Sequence, residues 1–187
     1  MFATRNDMFG QAVSLSASGD MDAWNAMQLG FLAHSAVTPD HLTKVIESDP
    51  DFAMPLICKG LFTLLLGRRE LYGVAADCER EARCAIGRRQ VTARELVFLK
   101  ALADYRSGNP RRAADAMDES LTIHRNDMLA MKLVQAIRFV LGDATGMRAS
   151  IEICLPHLDR TGPAYGYALG CHAFTLEETG DYENAEK

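Results

Sequence analysis

Apolar residues recur along this chain three and four positions apart, in blocks a few turns long, and nowhere in sustained alternation. That period is one face of an α-helix rather than of a strand. The most apolar block is Asp49–Gly67, DPDFAMPLICKGLFTLLLG. It opens on the helix-breaking Asp49-Pro50 and closes on Gly67, where a left-handed C-cap belongs. Before it, Asp22–Ala36 carries Trp24, Met27, Phe31 and Leu32 at helical spacing. Thr38-Pro39 reads as an N-cap with proline at the first helical position, starting a helix with Leu42, Val45 and Ile46 inward. After Gly67 a longer helix is predicted over Glu70–Ile86, ended by Gly87. Thr92 and Glu95 have the spacing of a capping box for a helix running to Ser107. Further helices are predicted over Pro110–His124, Met128–Leu141, Ala144–Leu158, Tyr165–Thr179 and Tyr182–Lys187. The pattern thus predicts nine or ten helices and no sheet, preceded by residues 1–20 as an extended arm ending in SLSASGD.

Gly67, Gly108, Gly142 and Gly180 take the same place between paired helices, 41, 34 and 38 residues apart. A period near 34 with two helices per unit is that of tetratricopeptide repeats. Such repeats place a small residue seven before this glycine, where the two helices cross closely. The chain has Gly60, Ala101, Gln135 and Ala173 there. Five after it, Ala113 and Ala185 match the motif and Tyr72 and Met147 do not. The predicted fold is therefore all-α, a divergent right-handed α-α superhelix of about five hairpins over residues 21–187, the last one truncated at Lys187.

Several strings go beyond the generic repeat: NDMFGQAVSLSA leading to MDAWNAMQLGFLAH, then TPDHL, the Asp49–Gly67 block, AIRFVLGDATGMRASIE and GYALGCHAFTLEETGDYENAE. With these, essentially the whole chain resembles the tetratricopeptide repeat protein 38-like family. The resemblance implies an all-helical repeat protein, usually longer than this chain, whose biochemical role is poorly defined. It also implies that residues 21–187 belong to a longer architecture. A repeat array needs a polar cap at its end, so the uncapped last hairpin is expected to meet further chain, a partner or a second copy.

Composition narrows the class. A 48% hydrophobic and 24% charged chain is neither disordered nor membrane-spanning. Its longest apolar run, Leu61–Leu66, is far short of the ~20 residues a bilayer demands. Net charge is −5 with dispersed cations, so nucleic acid is not an expected partner. The densest basic group, Arg80, Arg83, Arg88, Arg89 and Arg94, reads as cations near a helix C-terminus. Five cysteines, an odd number without C-x-x-C or a secretory segment, predict reduced, core-packed thiols in a cytoplasmic protein.

In repeat register, the first helix of each unit lines a concave face, and that lining is apolar and aromatic. The expected groove residues are Phe98, Tyr105, Lys132, Phe139, Tyr167, Phe174 and Glu177. Only Lys132 suits a carboxylate clamp, so that subtype is not expected. Function is expected to be a non-enzymatic scaffold that receives a protein, peptide or helix in this groove. The alternative is a small-ligand or enzymatic pocket built from His172, Lys132, Arg138 and Glu177. His172 and Glu177 are five apart, off one helical face, and Cys154 with His157 supplies two ligands where structural zinc takes four. No nucleophile elbow, zinc helix or phosphate loop is present, so no metal, cofactor or catalytic residue is expected.

Overall fold

A computed structural model describes residues 4–187. Among them are ten α-helices in chain order: α1 (Met21–Leu32), α2 (Thr38–Ser48), α3 (Ala53–Leu65), α4 (Tyr72–Arg88), α5 (Ala93–Arg106), α6 (Pro110–Ile123), α7 (Met128–Val140), α8 (Ala144–Cys154), α9 (Pro163–Glu178) and α10 (Tyr182–Ala185). The chain is all-helical apart from short 3-10 turns at Arg69–Leu71 and Leu155–His157 and one minimal ladder. Among the described residues no helix is long and apolar enough to cross a membrane.

Consecutive helices pair as α1/α2, α3/α4, α5/α6, α7/α8 and α9/α10. Local chemistry sets most boundaries. The capping box at α5 forms as expected: Thr92 Oγ1 accepts from Glu95 N and Glu95 Oε2 accepts from Thr92 N. Asp20, Asp127 and Asp143 accept from backbone N–H groups in the first turns of α1, α7 and α8. At α2 the expected cap moves by one residue: Val37 is the N-cap, and Thr38 turns its hydroxyl onto Ser35 O. Helix α4 runs through Gly87 to Arg88 rather than stopping at the glycine.

The hairpin corners share one hydrogen-bond pattern. Gly108, Gly142 and Gly180 each have positive φ and donate to the carbonyl three back, while the next residue donates five back to Asp104, Arg138 and Leu176. This is the Schellman end of a helix. Gly67 has the same φ sign and the first of these bonds. The first hairpin has the corner too, but with a histidine: His34 has φ 53°, donates to Phe31 O, and Ser35 N donates to Gly30 O at 2.8 Å.

Residues expected to form a loose arm are instead a strap across the first helices. Arg5–Asn6 pairs antiparallel with Ala12–Val13, which corrects the expectation of no sheet. Phe9, Val13 and Leu15 enter the core. Side chains at the starts of the first helices hold the strap's main chain. Glu95 Oε1 accepts from Ser14 N, Asp49 Oδ2 accepts from Ser16 N, Arg89 donates to Ser14 O, and Asn126 donates to Phe9 O. Buried Asp7 accepts from Phe9 N, Gln11 N and Gln28 Nε2.

One core runs from the strap through α1, α3, α5 and α7. Trp24 lies edge-on to Phe52 with ring centres 5.2 Å apart. Helix α7 touches α1 and α3 as well as its own partner α8, so the fourth hairpin meets the first two. At Gly60 the helices do approach closely: an added Cβ would lie 2.9 Å from both Leu102 methyls and 3.2 Å from Cys78 Cβ. At the equivalent place in α7, Gln135 fills the crossing and donates to Met147 O of α8.

Candidate functional site

The residues in first-helix register divide sharply along the chain. Those of α3 and α5, including Met54, Ile57, Leu61, Phe98, Leu102 and Tyr105, are buried. From Lys132 onwards the series opens: Lys132 and Tyr167 are half-buried, and Phe139 and Phe174 are 55% and 38% exposed. These positions are thus packed over α3 and α5 and partly exposed over α7 and α9.

What remains is a cavity of about 660 Å³, bounded by the C-terminal ends of α1 and α3 and by α7 and α9. Leu32, Leu65, Ala136, Phe139, Val140, Tyr167 and Phe174 supply most of its walls. Phe139 and Phe174 lean together at its rim, ring centres 5.6 Å apart. Helical spacing explains the wall on α7, because Lys132, Ala136 and Phe139 lie three or four apart. Gly166 and Gly170 do the same on α9 and keep that wall thin.

Its polar groups are few: His34, Lys132, Gln135, Cys171 and the Tyr167 hydroxyl. The Lys132 ammonium lies 3.8 Å from Cys171 Sγ. Burial pushes the Cys171 thiol above its ordinary range, with Lys132 pulling the other way. The Lys132 charge, with some burial, holds His34 below the usual imidazole range. No Asp or Glu lines the cavity among the described residues.

Of the expected groove residues, Lys132, Phe139, Tyr167 and Phe174 meet in this cavity. Phe98 and Tyr105 do not; they are core, with Phe98 under the Arg94 guanidinium. Glu177 is exposed and outside the lining. His34, exposed at the first hairpin corner, joins the lining although it is not among the expected groove residues. Its signal was the 33-residue step from His34 to Gly67, which puts it in register with the four corner glycines.

The other constellation does not assemble. Arg138 points away from the cavity into a cluster of Asp115, Asp118 and Asp143, at 2.9, 2.5 and 2.6 Å. His172 Nε2 stands 3.6 Å from Glu152 of α8, too far for a hydrogen bond. Cys154 is buried while His157 is exposed and meets Arg125. No cluster of three metal-ligating side chains occurs among the described residues.

The basic group expected near one helix end is fully matched by acids. Arg80 pairs with Asp77, Arg83 with Glu79, Arg88 with Asp51, Arg89 with Asp49 and Arg94 with Asp127. Cys58, Cys78 and Cys154 are core thiols as expected, Cys171 is half-buried, and Cys84 is exposed, facing out from α4.

No family model matches the chain, and no solved structure matches it.

Proposed function

We propose that this chain is a tetratricopeptide-like superhelical array that binds, rather than transforms, a small apolar ligand in the cavity between α7 and α9. The observation that carries this reading is the cavity's place and make-up. Among the described residues it is the stretch of first-helix register left open, and its walls are aliphatic and aromatic with a few polar groups. Its volume falls within the range of about 300–1,000 Å³ usual for small-molecule sites. The buried Phe98 and Tyr105 argue against a long peptide lying along the whole face. A catalytic reading draws no support from His172, Arg138 and Glu177, which face different surroundings. Five thiols go with a reducing, cytoplasmic setting.

The neutral dye Nile red tests this reading. Its fluorescence should rise on binding the protein, and Phe139→Asp should remove the rise while circular dichroism and the thermal transition stay intact. No rise, or a rise that the substitution leaves unchanged, overturns the reading.

A second reading has its own observation. Phe139, Val140 and Phe174 are exposed at the rim, as residues that seat a partner's helix would be. A defined protein complex that Phe174→Asp breaks, with no Nile red binding, would transfer the site to that reading.

A further inference from the structure

We propose that the ligand of this cavity is a monocarboxylic acid with an extended apolar body, its carboxylate drawn to Lys132 and His34. The proposal rests on the small-ligand reading and specifies the ligand's charged end.

The first argument is the isolation of Lys132. Most cations of this chain have a carboxylate within reach, including every arginine of the basic group around α4 and α5. Lys59, Arg69, Arg125 and Arg160 have none, but all four are exposed to water. Arg5, half-buried, donates instead to Ser16 O and Gly19 O. Lys132 alone is half-buried with neither a carboxylate nor a carbonyl partner among the described residues; its hydrogen-bond contact there is a thiol sulfur. A charge so placed is poorly hydrated and gains most from an anion brought to it in the same low-dielectric space.

The second argument is His34. Four of the five hairpin corners use glycine for the left-handed residue, and the first uses histidine. A non-glycine residue there is strained, and such strain gathers at functional positions. The side chain this corner presents lines the cavity that also holds Lys132. Two basic groups thus meet in one apolar hollow without an acid between them. Both line the same cavity, and the Lys132 charge lowers the His34 imidazole pKa. An anion in that space answers the Lys132 charge and favours protonation of the His34 imidazole, and the aromatic and aliphatic walls take its apolar remainder.

The test uses twelve-carbon probes below their micelle-forming concentrations, titrated calorimetrically into the full chain: dodecanoate, dodecan-1-ol and dodecyltrimethylammonium. Dodecanoate should bind at least about tenfold more tightly than the alcohol, which is about 1.4 kcal/mol, and the cation should bind least. Lys132→Met keeps the apolar stem and should bring acid and alcohol to equal affinity without weakening the alcohol. In a nuclear magnetic resonance titration, bound dodecanoate should move the His34 pKa upwards, since an anion favours the imidazolium. Equal binding of acid and alcohol to the native chain would overturn the carboxylate while leaving the apolar cavity standing. Failure of every probe, with Nile red also silent, would overturn both. Dodecanoate binding that survives Phe139→Asp unchanged would place it elsewhere and sink the proposal.

Discussion

Arg94 grips Asp127 through two parallel hydrogen bonds, Nε to Oδ2 at 2.5 Å and Nη2 to Oδ1 at 2.9 Å, with side chains only 4% and 1% exposed. The pair joins the start of α5 to the start of α7, where Asp127 also caps the helix by accepting from Ala130 N. Removing one partner leaves the other charge buried and uncompensated. Asp127→Ala should therefore cost about 3–5 kcal/mol of unfolding free energy, and Arg94→Ala a similar amount. Urea unfolding measures this. A loss under about 1 kcal/mol would mean that water reaches the pair.

Replacing His34 by glycine should work in the opposite direction. The corner's φ of 53° is costly for histidine and free for glycine. His34→Gly should gain up to about 1 kcal/mol, or some 2–4 °C in thermal midpoint for a chain of this size, by differential scanning calorimetry. A gain in stability coupled to weaker dodecanoate binding would identify the histidine as kept for function at a cost in folding.

At Gly60 a single methyl has nowhere to go, because the Leu102 methyls and Cys78 crowd the position in a filled core. Gly60→Ala removes a flexible residue from mid-helix, which by itself would stabilise by roughly 0.5–1 kcal/mol. Overpacking costs about 1–3 kcal/mol and should win. Chemical denaturation should show net destabilisation, with Gly73→Ala, where an added Cβ meets nothing, as the contrasting control.

Acid should loosen the chain through its partnered carboxylates. Burial opposes ionisation of Asp49, yet Arg89 and the Ser16 N–H outweigh it and hold its carboxyl below the usual range. Asp143 behaves alike, burial being outweighed by the Gly146 N–H and Arg138. For such groups the stabilising contribution is complete above the unfolded value of about 3.9 and is lost as pH falls through the lower folded value. Asp7 has the reverse sign: burial raises its pKa, so its contribution is greatest at low pH and declines as pH rises through the folded value. The urea midpoint should therefore fall steeply below pH 4. Asp49→Asn should lower stability at pH 7 and make the acid limb shallower.

Much of the helical architecture was readable from residues alone, because its signals are local. The capping box at Thr92 and Glu95 and the corner glycines at 67, 108, 142 and 180 act over a single turn. What was missed depends on distant partners. The strap was hidden by its polar composition, although Val13 and Leu15 alternate with polar neighbours, and its grip comes from Asp49, Glu95 and Asn126 far along the chain. Repeat register assigns Phe98 and Tyr105 to a groove, but register cannot say what will lie over a helical face, and both are buried in the core. His34 escaped because a search for glycine does not find the histidine standing in its place.

The contact of α7 with α1 and α3, together with the strap, has a consequence for how the molecule comes apart. Linear arrays lose stability one unit at a time, each depending only on its neighbours. Here early and late hairpins share a closed circuit of contacts, so melting should be concerted from Trp24 through to α7. Adding or deleting a hairpin in the middle would break the circuit, and the number of units between α1 and α7 is consequently not free to drift.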